Sequence, residues 1–210
     1  LLRGKDRIPN ITEKLSQFRV GKIGVCGDIQ EMYHRIFMNE GDVNAQRFLW
    51  RDCETDREPD QYVLQVLAFG PVSAPSAAIY VKNRNAERMK ATYPEAYASI
   101  IKDYVDNSME SYHQVNEAIK VTNDIIYVNW KANFKTRDFI SNDINVVSNL
   151  IGGHTASVEE YHFTDEEKTE KLLGVQWDVK NDNFIFRFSD KLHAIQRKGK
   201  MDLTATPTKA

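Results

Sequence analysis

Two aspartates and one asparagine carry the chemistry this sequence could perform. Asp106 and Asn107 end the short stretch Tyr104-Val105-Asp106-Asn107, which lies between two apolar-rich runs. Asp28 stands near the end of another run, Ile23-Gly24-Val25-Cys26-Gly27-Asp28-Ile29. An acidic residue at the tip of a tight hairpin and another at the end of a neighbouring strand can meet in space. Carboxylates held that way bind hard divalent cations such as magnesium through oxygen. A pair of such ions activates an attacking hydroxyl and steadies a departing phosphate. Asn107 brings no charge to this cluster, and its amide NH₂ is a donor that cannot ligate a cation, although its amide oxygen can.

The elements that must position these residues follow from periodicity and breaks. Lys22 to Ile29 reads as a buried strand and Ile11 to Phe18 as a short helix capped by Asn10 or Thr12. Glu31 to Ile36 forms a helical turn, and Gly41-Asp42 opens another up to about Gln46. Arg47 to Arg51 and Tyr62 to Leu67 read as strands joined by the polar run Asp52 to Asp60. After Gly70-Pro71 a helix starts at Ser73-Ala74-Pro75, because proline is tolerated in a first turn, and runs to about Ala91. Pro94 begins a second helical piece towards Ile100. The return arm of the Tyr104 hairpin is Ser108 to Ser111. Ser111 to Trp130 has helical spacing, with Val115, Ala118, Ile119, Thr122 and Ile126 on one face. Asn133 to Asn142 mixes strand and loop, Asp143 caps a short helix through Leu150, and Gly152-Gly153 is a break. Glu160 to Phe163, Leu173 to Val179 and Phe184 to Phe188 read as strands, the last two joined by a Lys180-Asn181-Asp182-Asn183 turn. The polar stretch from Lys198 onward reads as a frayed tail. Antiparallel strands mixed with helices predict an α+β fold, an antiparallel sheet with helices packed on one face.

Length and composition set the bounds. The 210 residues suffice for one sizeable core or two small ones. The formal net charge of −2 argues against strong non-specific nucleic-acid binding by the chain as a whole. Two cysteines, Cys26 and Cys53, cannot by themselves form a disulfide framework or a zinc site, and both are expected to be reduced and buried. The histidines show no metal-ligand spacing. No apolar run approaches membrane-spanning length and no signal-peptide pattern is present, so the expectation is an intracellular protein with no membrane partner. An opening on Leu1-Leu2-Arg3 is expected of a fragment of a longer polypeptide.

Four blocks, in order, resemble the reverse-transcriptase (RNA-directed DNA polymerase) palm of Pao/BEL-type LTR retrotransposons, over about Leu1 to Phe188. Gly27-Asp28-Ile29-Gln30-Glu31-Met32-Tyr33-His34 is similar to the family's D-I-x-x-M-[FY]-H block. Phe69-Gly70-Pro71-Val72-Ser73-Ala74-Pro75-Ser76 is similar to its F-G-x-x-x-x-P block. Tyr104-Val105-Asp106-Asn107 is similar to its Y-V-D-D turn, and Leu173-Gly174-Val175-Gln176-Trp177-Asp178 to its L-G-x-x-W-D block. Alone, each has an ordinary structural reading: a hairpin turn, a core tyrosine, a loop, an amphipathic strand. Their shared order favours the family.

The resemblance implies a palm with an RRM-like core over residues 1–190, with incomplete fingers at the N-terminus. It makes 191–210 a tail leading to a missing thumb. It implies that Asp28 and Asp106, with the backbone carbonyl of Ile29, hold two catalytic Mg²⁺ ions. Tyr33 would lie under the incoming sugar and reject a 2′-hydroxyl by a clash. Phe69 and Gly70 would flank the nucleotide, Leu173, Gly174 and Trp177 would belong to the primer-grip region, and Phe139 with Ser141-Asn142 would lie behind the active site. The implied partners are an RNA or DNA template with its primer, deoxynucleoside triphosphates and other segments of a retroelement polyprotein. The implied location is the cytoplasm or a retroelement particle.

The chain departs from the family pattern at three places. Asn107 replaces the second aspartate of the turn, Asp138 stands where lysine is usual, and Thr136 stands where an apolar residue is usual. As one residue of a strand, Arg137 is expected to point away from the site that Asp138 faces. Glu31 and Asp52 are expected to be solvated surface charges. These departures predict nucleotidyl transfer that is absent or very slow. The alternative is a degenerate or co-opted palm acting as a non-catalytic nucleic-acid or protein binding module. A palm-like nucleotide cyclase is a third possibility, disfavoured because a cyclase has no template for an F-G-x-x-x-x-P block to accommodate.

Overall fold

A computed structural model describes residues 4–151 and 169–185. The fold is mixed α and β, with small antiparallel sheets and helices. The expected single sheet is instead three: a central one, a two-stranded ribbon and a three-stranded meander. Contacts divide the chain into two units, residues 1–164 and 165–210, each described by itself.

The central sheet of the first unit has β1 (Ile23–Ile29) in the middle, flanked by β4 (Asn107–Tyr112) and β5 (Thr136–Ser141), all antiparallel. Opposed residues share a face and successive residues alternate. The pairing Ile23↔Tyr112, Val25↔Glu110 and Gly27↔Ser108 therefore defines one face. Cys26↔Met109 and Asp28↔Asn107 define the other.

Ile23, Val25 and Tyr112 join Phe139 in one apolar core with residues from four helices. These are α2 (Ala74–Met89), α3 (Pro94–Ile100), α4 (Val115–Trp130) and α5 (Ile144–Ser148). Asp28 and Asn107 thus project from the face opposite the helices. Helix α1 (Ile11–Gln17) sits at the β4 edge, where the Ser111 hydroxyl donates to the Gln17 carbonyl at 3.0 Å. Asn10, not Thr12, is its cap, accepting from the Thr12 and Glu13 amides.

Helix α3 starts at Pro94 as expected, and Asp143 caps α5 through the Asn145 amide. Helix α4 departs from the expected pattern. Its first residue is Val115, because Ser111 and Tyr112 stay in the β4 ladder. Its buried face is Ala118, Val121, Thr122, Ile125, Val128 and Asn129, while Val115, Ile119 and Ile126 are only partly buried. The expected stripe was rotated towards the start of the helix.

A second apolar cluster lies below the end of β1. Ile29, Met32, Tyr33, Ile36, Leu67, Ala74, Ala78 and Phe134 form it, and Val105 packs against it. The ribbon, β2 (Arg47–Trp50) and β3 (Asp60–Val63), has every residue exposed. Cys26 is buried, but Cys53 is exposed in the ribbon loop, contrary to expectation. Polar loops carry no burial signal, so a thiol there follows the loop to the surface.

Thr136 is buried opposite Ile29, and its hydroxyl has no hydrogen-bond partner. Leaving a buried hydroxyl unsatisfied is unfavourable, so Thr136→Val, nearly equal in shape, is expected to raise unfolding stability by about 1 kcal/mol. A urea titration reads this as a higher midpoint at an unchanged slope.

In the second unit, β6 (Thr169–Leu172), β7 (Val175–Asp178) and β8 (Asn183–Ile185) form a meander. The expected strand from Leu173 is cut short at its start. Leu173 and Gly174 are a two-residue turn with φ of 47° and 92°. Two consecutive left-handed residues are what such a hairpin needs. The 180–183 turn follows as expected, with Asp178 accepting from the Asn181 amide and side chain. Glu160 to Phe163 and the end of the last expected strand lie outside the described residues. Among the described residues, no helix is long and apolar enough to cross a membrane.

Candidate functional site

The β1–β4 hairpin builds the site. Register places Asn107 opposite Asp28, and the Ile29 amide donates to the Asp106 carbonyl at 3.0 Å. The two aspartates, distant in sequence, therefore meet at one end of the same strand pair. The turn is closed by reciprocal backbone bonds between Tyr104 and Asn107, 3.1 and 3.0 Å long. Its first central residue, Val105, has φ 57°. A β-branched residue rarely adopts this left-handed region, so the turn holds strain at the site.

Asp28 is half-buried, and its carboxyl is held above the ordinary carboxylate range. Burial is the largest cause, followed by repulsion from Asp106; Arg137 opposes both, and Asp138 adds further repulsion. The Asn107 amide donates to Asp106 Oδ1 at 3.0 Å. Asn107 thus turns its NH₂ towards its neighbour's carboxylate, using as a donor the position where a second aspartate would add charge.

Arg137 does not point away. An extra residue on β5, between the pairs Cys26↔Ile140 and Asp28↔Arg137, puts Asp138 at φ 53° and breaks the alternation. Arg137 Nε then lies 3.8 Å from Asp28 Oδ2 and 3.1 Å from Asp138 Oδ2. A bulge of this kind leaves no trace in a polar stretch such as Thr136-Arg137-Asp138, so simple strand alternation misled.

The aromatic residues gather beside the turn. Tyr33 is buried, its phenol pushed up by burial and then by Asp106. Its ring lies 4.5 Å from that of Phe69, and His34 meets Phe69 edge-on at 5.3 Å. Phe69 is 63% exposed. Gly70 has φ 103°, and open space surrounds the place its Cβ would take. Glu31 pairs with Arg35, and Asp52 accepts from the Trp50 indole, so both are surface groups as expected.

Leu173, Gly174 and Trp177 belong to the second unit. Trp177 is fully buried there and donates to Asp182 Oδ1 at 3.0 Å. Among the described residues, no group of three or more His, Cys, Asp or Glu side chains is gathered to hold a metal ion. Two carboxylates with a backbone carbonyl nonetheless match magnesium, which takes oxygen donors and commonly only one or two carboxylates, with water and substrate phosphates completing its shell. The donor set of Asp28, Asp106 and Ile29 fits that ion.

One group was missed by sequence reasoning. Lys82 of α2, fully buried, donates from Nζ to the Val105 carbonyl at 2.7 Å. A lysine within the apolar spacing of a helix was the available signal.

The raised Asp28 carboxyl has a consequence for stability. A carboxyl with a higher proton affinity folded than unfolded binds more protons in the native state, so its contribution is lost as pH rises through the folded value. Asp103, buried and pushed up to about 6, acts in the same direction. Stability is expected to fall as pH rises from about 4 to about 7. Asp28→Asn should flatten this slope and raise unfolding stability at neutral pH, read as a higher urea midpoint at an unchanged denaturant slope.

No family model matches the chain, and no curated protein matches it significantly.

Proposed function

We propose that the chain is the palm of a retrotransposon reverse transcriptase, and that this copy adds deoxynucleotides slowly or not at all. The observation that carries the reading is the convergence of Asp28 and Asp106 at one end of the β1–β4 pair, where Asp106 repels the Asp28 carboxyl. The order of the four sequence blocks and the seat of Tyr33 and Phe69 beside Asp106 support it.

In the proposed reaction the primer 3′-hydroxyl oxygen attacks the α-phosphorus of a deoxynucleoside triphosphate. A new phosphodiester bond forms, the α–β bridge breaks, pyrophosphate leaves and the hydroxyl proton passes to solvent. Magnesium held at this site would lower the proton affinity of the attacking hydroxyl and neutralise the leaving group. Asp28 and Asp106 would hold it, with the Ile29 carbonyl. The buried Tyr33 ring would floor the sugar site, and the exposed Phe69 with the open Gly70 backbone would border it. Asn107 supplies no charge, and Asp138 would add a negative one near Asp28, offset by Arg137 at 3.1 Å.

A second reading has its own support. Arg137 already supplies a positive charge beside Asp28. With Asn107 neutral, the cluster is partly compensated without a cation, which suits a palm that binds nucleic acid and performs no transfer.

Templated incorporation of one deoxynucleotide, followed with and without magnesium, tests the first reading. Slow magnesium-dependent incorporation that vanishes in Asp28→Asn and Asp106→Asn is expected. Salt-sensitive binding of a primer–template, with no magnesium or triphosphate uptake by calorimetry, would establish the second reading.

A further inference from the structure

Behind the turn lies a buried group of charges with no part in the reaction above. Lys82 is 0% exposed and Asp103 is 2% exposed. Lys82 Nζ stands 3.8 Å from Asp103 Oδ2 and 2.7 Å from the Val105 carbonyl. Lys14, from α1, stands 3.7 Å from Asp103 Oδ1 and 2.8 Å from Glu110 Oε1 of β4. With Asp106 nearby, these are the titratable groups that face Lys82. Two lysines and two carboxylates balance within the body of the fold, on the helix side of the sheet.

Such a group adds little net stability; well-packed apolar residues commonly do as well or better. Its direction is informative. The Val105 carbonyl belongs to the rigid peptide plane that carries the Asp106 amide. Val105 is the residue in the left-handed region, which a β-branched side chain disfavours. The Lys82 Nζ donor on that carbonyl holds the disfavoured conformation, and Asp103 holds Lys82.

We propose that Lys82, braced by Asp103, is a positioning residue that clamps the Val105 peptide and so sets Asp106 against Asp28. The pair acts through the backbone and touches no reacting atom. The clamp stands on its own geometry; its link to metal binding rests on the reading of Asp28 and Asp106 as ligands.

The test separates clamping from charge balance. Lys82→Met leaves Asp103 buried with one partner fewer and should lower the urea midpoint. The double variant Lys82→Met/Asp103→Leu removes both charges and should recover that midpoint. Mn²⁺ affinity, read by electron paramagnetic resonance, should stay about tenfold weaker in both. Protection of the Asn107 amide against hydrogen exchange should stay about tenfold lower in both. Adding Val105→Gly, which removes the left-handed penalty, should restore most of the Mn²⁺ affinity and of the amide protection to the double variant. A double variant that regains midpoint, affinity and protection together overturns the proposal, because Lys82 then only balances Asp103. If the parent binds no Mn²⁺, the metal reading fails and amide protection alone decides the clamp. If neither variant folds, the parent decides: a Lys82 ammonium ¹⁵N signal with slowly exchanging protons, coupled to the Val105 carbonyl, supports the clamp, and a rapidly exchanging one refutes it.

Discussion

Asn107→Asp is expected to raise magnesium-dependent incorporation of a deoxynucleotide by roughly a hundredfold, the equivalent of about 3 kcal/mol of transition-state stabilisation. Asn107 lies directly across from Asp28, so the new carboxylate enters the cluster itself. Its amide now spends a donor on Asp106 Oδ1 at 3.0 Å. Aspartate cannot donate when ionised, so Asp106 loses that partner and gains a like charge. Without metal the variant should therefore be less stable than the parent, and magnesium should restore the difference. Initial rates of single-nucleotide incorporation, with urea midpoints measured with and without magnesium, check both halves. A variant no faster than the parent would show that Asn107 is not what limits the reaction.

The second large effect concerns the sheet beneath the site. Phe139→Ala is expected to cost about 3–5 kcal/mol, the range for emptying a buried aromatic site. The ring is 2% exposed in the helix-side core. It also occupies the space beside Gly27: a Cβ built there would lie 2.5 Å from Phe139 Cε1. Gly27→Ala should cost about 1–3 kcal/mol by overpacking. The two losses should be less than additive when combined, because removing the ring removes the clash. Gly27 immediately precedes Asp28, so Gly27→Ala also shifts a proposed metal ligand. Thermal or urea unfolding of the two single variants and the double completes the cycle.

Much of this was legible in the residues. Strand β1 is a continuous apolar run with one acid near its end, and it folds as such. Pro94 and Asp143 mark helix starts that hold because each acts through local backbone chemistry, whereas the strand expected over Tyr62 to Leu67 forms instead over Asp60–Val63. The pairing of Asp28 with the 104–107 turn was also legible, since a hairpin tip and a strand end have few places to meet on an antiparallel sheet.

What could not be read depends on tertiary context. The bulge on β5 that swings Arg137 to Asp28 arises from pairing with β1, and no residue pattern announces it. The face of α4 is set by the helices and sheet around it, so Val121, Ile125 and Val128 are chosen over Val115 and Ile119 by packing alone. Leu173 entered a turn because its neighbours pair, although leucine itself favours neither turns nor left-handed φ. Lys82 falls within the apolar spacing of α2, but a lysine in a helix ordinarily faces water, and the Val105 carbonyl and Asp103 that explain its burial come from elsewhere in the chain.

The ribbon of β2 and β3 has a consequence for handling the protein. Phe48, Leu49 and Trp50 of β2 and Tyr62 and Val63 of β3 are open to solvent, with Phe48 directly across from Tyr62, and among the described residues no third strand borders either rim. Backbone amides along such a rim are a template for another strand, and the greasy surface beside them rewards the match. Concentrated solutions should thicken into oligomers through this hairpin while the rest of the molecule stays folded, and lysines placed along its outer rim are the remedy.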